Sequence, residues 1–210
     1  MIVKNLFPLF IASVFAFVSC SKDDNNTPTP ELPAKAKEVK NLDASGSKWV
    51  YYSFEKNEVV TPTDETKELT WDIAFNGYII KLNGGTSGQG QGEVVSTGKT
   101  NFSEVTKAPE SGYVKDIVKK IIISYSPRVE ADTSHSETLT GGFGKTTGAI
   151  HISPANMQQW GSVYAPTKLV FVLKTANGKY VKFQVTDFYN DRKVPDYPSF
   201  QYQLSEDGNF

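Results

Sequence analysis

The chain has 210 residues, with 22 Lys and Arg against 23 Asp and Glu, and a formal net charge of −1. That balance gives no net basic or acidic bias that points to nucleic acid or to strong membrane electrostatics. One cysteine, Cys20, excludes disulfide staples and thiolate metal clusters, so any folded domain must be held by its core alone.

Taken in chain order, Met1–Asn5 carries a single positive charge, Lys4, and Leu6–Val18 is an apolar run. The run falls short of the ~20 residues that a membrane-spanning helix needs and suits the core of a signal peptide, residues 1–19. A small residue, Ser19, just before Cys20 resembles a bacterial lipobox. The resemblance implies that Cys20 is acylated and becomes the new N-terminus, because stable anchoring takes more than one acyl chain. Residues 20–39 then read as a lipidated, flexible tether: Ser21-Lys22-Asp23-Asp24-Asn25-Asn26 is polar, and Pro28, Pro30 and Pro33 punctuate the stretch after it. The acidic pair Asp23-Asp24 resembles the signal that sends lipoproteins of Bacteroidetes to the outer cell surface. The expected location is therefore the outer membrane, lipid-anchored and facing outward.

From residue 40 to 210 the chain reads as one all-β, antiparallel domain with little helix. Trp49–Phe54 mixes aromatic and β-branched residues, and Leu69–Phe75 and Tyr78–Leu82 alternate. Asn83-Gly84-Gly85, with Gly88, Gly90 and Gly92, predicts a tight turn of close backbone approach. It lacks the Gly-Lys-Ser/Thr ending of a phosphate loop. Val94-Val95 resumes a strand. Residues 113–120 are expected to form a helical turn, with Val114, Ile117 and Val118 at i, i+3 and i+4. Ile121–Tyr125 reads as a strand, Ser126–Ser136 as a polar segment, Glu137–Thr140 as a short alternating stretch, and Gly141–Gly148 as a loop. Ala149–Ser153 alternates again. Lys168–Lys174 and Lys179–Val185 flank Thr175-Ala176-Asn177-Gly178, a strong hairpin signal. Ser199–Leu204 is the last strand. No fixed-period repeat occurs, which argues against a propeller or solenoid.

The usual catalytic arrangements are missing. There is no Gly-x-Ser-x-Gly elbow and no His-Glu-x-x-His, and the carboxylates are scattered, so an enzyme is not the favoured reading. Asp72, in an apolar strand-like run, reads as a buried carboxylate bonded to nearby backbone or a hydroxyl. His151, flanked by isoleucines that point to the opposite face, reads as a solvent-facing strand residue. Met157 differs: it follows Asn156, precedes Gln158-Gln159-Trp160, and lies away from the aliphatic company of a core methionine. A thioether is a soft ligand that suits haem iron or copper(I).

Seven segments spread over the chain carry a resemblance: Trp49–Phe54, Glu58–Val60, Leu69–Ala74, Leu82–Gly90, Glu137–Gly141, Lys168–Val172 and Val185–Phe188. Together and in this order they resemble the HmuY family of haem-binding outer-membrane lipoproteins of Bacteroidetes. The resemblance implies a single β domain with two hairpin-like fingers that clamp haem between two axial ligands. It also implies an outer-membrane haem receptor or transporter as partner. Met157 falls where the family places its second axial ligand. The first belongs before Glu137–Gly141, where this chain is several residues shorter than the founding member. His135 is the imidazole available there, closer to the following strand than the family pattern has it.

With no Cys-x-x-Cys-His, haem would be exchangeable rather than covalently attached, and no separate metal is implied. Phe143, Trp160 and Tyr164 are candidates for its faces, and Arg128 and Lys145 for its propionates. A methionine ligand favours ferrous iron, so affinity is expected to strengthen on reduction. The expectation is thus a surface-anchored, haemophore-like lipoprotein that presents haem for uptake. The alternative is a surface lipoprotein of the same fold that binds glycan or a protein partner without haem.

Overall fold

The computed structural model describes residues 35–125, 127–155 and 161–210. The expected signal peptide (1–19), Cys20 and most of the expected 20–39 tether lie outside these residues, as do Met157 and Trp160. Runs rich in Val, Ile, Tyr and Phe become strands, because branched and aromatic side chains pack well on a pleated, half-buried surface. Among the described residues there are fourteen strands and one short 3-10 turn, Phe102–Glu104. None of the helical structure described is long and apolar enough to cross a membrane. The described residues, from Lys35 onward, form one compact unit.

Two antiparallel sheets enclose the core. The first runs β1 (Lys37–Val39), β14 (Pro195–Ser205), β13 (Tyr180–Tyr189), β12 (Phe171–Lys174) and β6 (Glu93–Ser96). The second runs β3 (Glu58–Val60), β2 (Val50–Ser53), β4 (Ile73–Asn76) and β5 (Ile79–Leu82). Their inner faces meet through aromatic rings: Phe75 stacks on Phe200 at 5.6 Å, and Tyr52 meets Phe200 edge-on at 5.4 Å. Phe54 reaches Phe183 at 6.1 Å. Each such pair adds ~0.5–1.5 kcal/mol to the ~1.5–3 kcal/mol gained by burying a large apolar side chain. A smaller apolar cluster, Phe102, Val105, Val170 and Val172, forms beside β12. Lys182 is buried there, its ammonium 2.9 Å from the Val105 carbonyl and 4.4 Å from the Phe102 ring.

The expected hairpin connects β12 to β13. Asn177 keeps a negative φ, however, and only Gly178 is left-handed, at φ 86°. Gly178 N–H donates to the Thr175 carbonyl and Thr175 N–H to that of Lys179. This is a three-residue loop ending in a glycine bulge rather than a two-residue Asn-Gly turn. The glycine stretch after β5 makes the close approach expected of it. A Cβ on Gly84 would lie 2.1 Å from the Gly92 carbonyl oxygen. Asn83, fully buried, fastens this clasp: its amide donates to the carbonyls of Glu68 and Trp71 and accepts from Gly90 N–H. Asp72 behaves as read: it is 4% exposed and accepts from the N–H groups of Phe54 (2.8 Å) and Ala176 (2.9 Å).

Two further hairpins complete the fold. β7 (Ile117–Tyr125) and β8 (Arg128–His135) form a two-stranded sheet, and β10 (Ile150–Pro154) pairs with β11 (Ser162–Pro166). β9 (Gly142–Phe143) joins β10 in parallel, inside the stretch expected to be a loop and against the otherwise antiparallel pattern.

Several sequence expectations give way here. Residues 113–120 are not helical: Val114 bridges Val94 and β7 begins at Ile117. Val114, Ile117 and Val118 are 46%, 38% and 58% exposed, so their helical spacing packs against nothing. Most of the polar segment Ser126–Ser136 is strand, Arg128–His135, because a hairpin wet on both faces needs no apolar alternation. Glu137–Thr140 turns, with Thr140 N–H donating to the Ser136 carbonyl. Leu69–Asp72 precedes its strand, and Lys168 takes a left-handed φ of 61° that delays β12 until Phe171. At the other end, Lys37–Val39 of the expected tether pairs with β14.

Candidate functional site

The β7–β8 hairpin is rooted in buried polar groups. Asp116, just before β7, accepts through Oδ2 from Leu82 N–H (2.8 Å) and the Ser87 hydroxyl (2.7 Å). Ser87 and Thr86 also meet the Ser134 hydroxyl of β8, at 2.7 and 2.5 Å. Both strands of the hairpin are thereby tied to β5 and the glycine clasp. Burial pushes the Asp116 pKa up to about 7, against the opposing pull of Ser87, Leu82 and the Lys81 charge. Its Oδ1 is buried without a hydrogen-bond partner among the described residues.

Beyond the root, Ile117 pairs with His135 and the register holds as far as Ile122↔Glu130. A bulge then shifts it to Ser124↔Val129 and Tyr125↔Arg128. The extra residue reverses the alternation, so Tyr125 shares a face with Ile122 instead of Ile121. Tyr125 thus reaches Phe143: the rings are 5.5 Å apart, and the Tyr125 hydroxyl accepts from Phe143 N–H at 3.0 Å.

Between this hairpin and residues 137–145 lies an open cleft of about 440 Å³. Ile121, Ile122 and Tyr125 give it apolar walls, Lys120 and Arg128 supply positive charge, and His135 lines it while only 2% exposed. The His135 ring is fixed by Nδ1, 2.9 Å from the Thr133 carbonyl oxygen. A carbonyl only accepts, so Nδ1 carries the proton, and in the neutral ring Nε2 keeps its lone pair. That tautomer is the one a metal-binding imidazole requires. Neutral imidazole at a metal is typically oriented in this way by a backbone carbonyl.

The cations differ in availability. Lys119 pairs with Glu137 and holds that carboxyl below the usual range. Lys145 points its ammonium at the carbonyls of Glu137 and Thr140, and burial pushes its pKa down. Its charge therefore serves the 137–140 turn. Arg128 meets Glu130 at 2.5 Å. Lys120 has no ion-pair partner among the described residues.

Of the residues singled out from sequence, His135, Arg128 and Lys145 meet around this one cleft, with Phe143 at its margin, 49% exposed. Tyr164 does not line it. It packs 5.1 Å from Phe188 and 6.2 Å from Tyr78, and lines a neighbouring cleft on the far side of Tyr125. His151 is half-buried rather than freely solvent-facing, its Nδ1 3.1 Å from the Lys145 carbonyl oxygen. Residues 156–160, which join β10 to β11, fall outside the described residues, and Met157 and Trp160 with them. Tyr125, Ile121, Ile122 and Lys120 escaped the sequence reading. The available signal was Ser126-Pro127 between two β-rich runs, a turn dipeptide that places Tyr125 at a strand end.

Comparison with known proteins agrees with this fold. The HmuY protein family matches residues 45–202. Among solved structures, the HmuY analogue of Tannerella forsythia in its apo form is 21% identical, with a TM-score of 0.57 over 81% of this chain and 95% of that one. A Bacteroides vulgatus protein, to which HmuY-like haem binding is ascribed, is 22% identical with a TM-score of 0.55, covering 80% and 90%. Apo PinO from Porphyromonas gingivitis is 19% identical with a TM-score of 0.55, covering 84% and 100%. No curated protein matches. With the family match running from the start of β2 almost to the end of β14, the chain belongs to the HmuY protein family.

Proposed function

We propose that this chain is a non-enzymatic haem-binding protein that holds exchangeable haem in the cleft beside β7–β8. The observation that carries the reading is His135: a nearly buried imidazole, locked through Nδ1–H by the Thr133 carbonyl, on the wall of an apolar and cationic cleft. In this reading His135 Nε2 donates to iron from β8, and Met157 donates from the residues that join β10 to β11. Tyr125 and Phe143 offer ring faces to the porphyrin, while Lys120 and Arg128 meet its propionates. Lys145 acts indirectly, by bracing the 137–140 turn through two carbonyls. Haem supplies an iron centre and a conjugated plate; the protein supplies two ligands, a dry wall and counter-charges. The similarity of the chain to a Bacteroides vulgatus protein of ascribed haem binding supports the reading.

The same proposal includes processing at Cys20, a lipid anchor in the outer membrane and an outward-facing domain that passes haem to a membrane receptor. A related Bacteroides fragilis structure, ascribed to a lipoprotein and 18% identical, is consistent with it. The test is haem titration of the purified protein under oxidising and reducing conditions. A Soret shift is expected in both states, with tighter binding after reduction. His135→Ala and Met157→Ala should each weaken it at least tenfold. Absence of any Soret change in either state would sink the reading. A shift that survives both substitutions would leave haem binding standing and overturn the ligands.

A further inference from the structure

We propose that the cleft beyond Tyr125 is a second binding site, which takes a primary ammonium or guanidinium group with Asp196 as its counter-ion. The cleft holds about 300 Å³ and is lined by Asp196, Gly77 and Ser162 and by the tyrosines Tyr78, Tyr125 and Tyr164. Tyr78 stands between the other two rings, 5.7 Å from Tyr125 and 6.2 Å from Tyr164. Aromatic faces within ~6 Å attract a cation, and a carboxylate beside them adds a full opposite charge.

Asp196 is half-buried and held in the left-handed region at φ 71°. Its carboxylate lies against Gly77, where a Cβ would come within 2.9 Å of Oδ1. Backbone strain at a non-glycine residue persists only where its surroundings demand it. Yet among the described residues no hydrogen bond or ion pair meets this carboxylate. The Tyr78 hydroxyl, which lines the same cleft, is committed to the Ile122 carbonyl at 2.8 Å. Burial alone raises the Asp196 pKa, with no cation to oppose it. A partly desolvated carboxylate without a partner is costly, and an incoming cation relieves that cost.

A metal ion fits less well. No group of three or more His, Cys, Asp or Glu gathers among the described residues, whereas calcium asks for six to eight oxygens. Tyrosine faces instead favour an organic cation. That cation could come from an Arg or Lys side chain of a partner protein or from a free small amine. The cleft shares Tyr125 with the proposed haem cleft but not His135, Lys120 or Arg128, so its test is made without haem.

The experiment follows the amide signals of Gly77 and Tyr164 by NMR while the full-length haem-free protein is titrated with methylguanidinium chloride. Saturable shifts are expected, with a Kd on the order of 1 mM, and methylurea, the uncharged analogue, should give none. Asp196→Asn should weaken binding at least tenfold. Asparagine tolerates the left-handed region, so this variant is expected to fold. Should it not, Tyr164→Leu, which removes one wall and keeps the charge, should weaken binding about threefold, the scale of one exposed cation–π contact. Equal shifts from methylurea, no saturation up to about 100 mM, or unchanged binding in the variants would overturn the site. A Gly-Arg-Gly peptide binding at least as tightly as methylguanidinium would support it and assign a protein side chain as the source. Binding of putrescine with exclusion of the peptide would support it and assign a free amine.

Discussion

The hairpins β4–β5 and β7–β8 are built on opposite principles. In β4–β5 every residue but Asn76 is buried, on both faces, and cross-strand pairs such as Phe75↔Ile80 lie inside the core. In β7–β8 only His135 is fully buried, and Val118, Ile123 and Val129 are openly exposed. The first hairpin is held by what surrounds it. The second is held at its root, by Asp116 and the Ser87–Ser134 hydroxyls, and is otherwise free to shape a cleft. Burial supplies stability, and its absence leaves a surface available for binding.

That contrast can be broken by mutation. Phe200→Ala removes a ring packed against Tyr52, Phe75 and Phe183, and should cost about 3–5 kcal/mol in urea unfolding. Asp72→Ala orphans the Phe54 and Ala176 N–H groups and should cost about 3 kcal/mol. Val118→Ala, on the exposed hairpin, should change stability by no more than about 0.5 kcal/mol. A cost for Val118→Ala comparable to that of Phe200→Ala would abolish the distinction between the two regions.

pH sharpens the comparison at the hairpin root. The Asp116 pKa of about 7 in the fold lies above the ordinary 3.8, so folding favours the protonated acid. Its contribution to stability is complete below the ordinary value, is lost as pH rises through about 7, and is flat beyond. Asp116→Asn removes this dependence, so the variant should gain on the wild type steadily between about pH 4 and pH 7 in chemical unfolding. A constant difference across that range would place the titration elsewhere. The smallest effect is dynamic: amides of β7–β8 should exchange with solvent by local opening, ahead of those of β4–β5. Equal protection in native-state hydrogen exchange would contradict it.

How far the sequence revealed each region depends on the same contrast. Strands that bury a face announce themselves, so Trp49–Phe54 was legible from its aromatic and β-branched residues, Tyr78–Leu82 from alternation, and the β12–β13 hairpin from Asn177-Gly178. Asp72 was legible because a carboxylate inside an apolar run needs backbone donors. The β7–β8 hairpin was not, because wet faces impose no pattern, and Val114, Ile117 and Val118 then mimic a helix. The candidate site inherits that gap. His135 stood out by chemistry, but Tyr125 owes its position to the bulge at Ile123, which no periodicity records. Lys81 was equally hidden, a buried amine stacked over Trp49 at 4.5 Å and bonded to the Tyr51 hydroxyl.

The short strand β1 bears on how this domain carries load. It joins the first sheet at an edge through only three residue pairs, Lys37↔Tyr202 to Val39↔Phe200. Any pull along the preceding segment would load those three pairs first, ahead of the longer ladder between β13 and β14. An edge strand held by three pairs is therefore expected to yield under less force than the β13–β14 ladder behind it, with the core left in place.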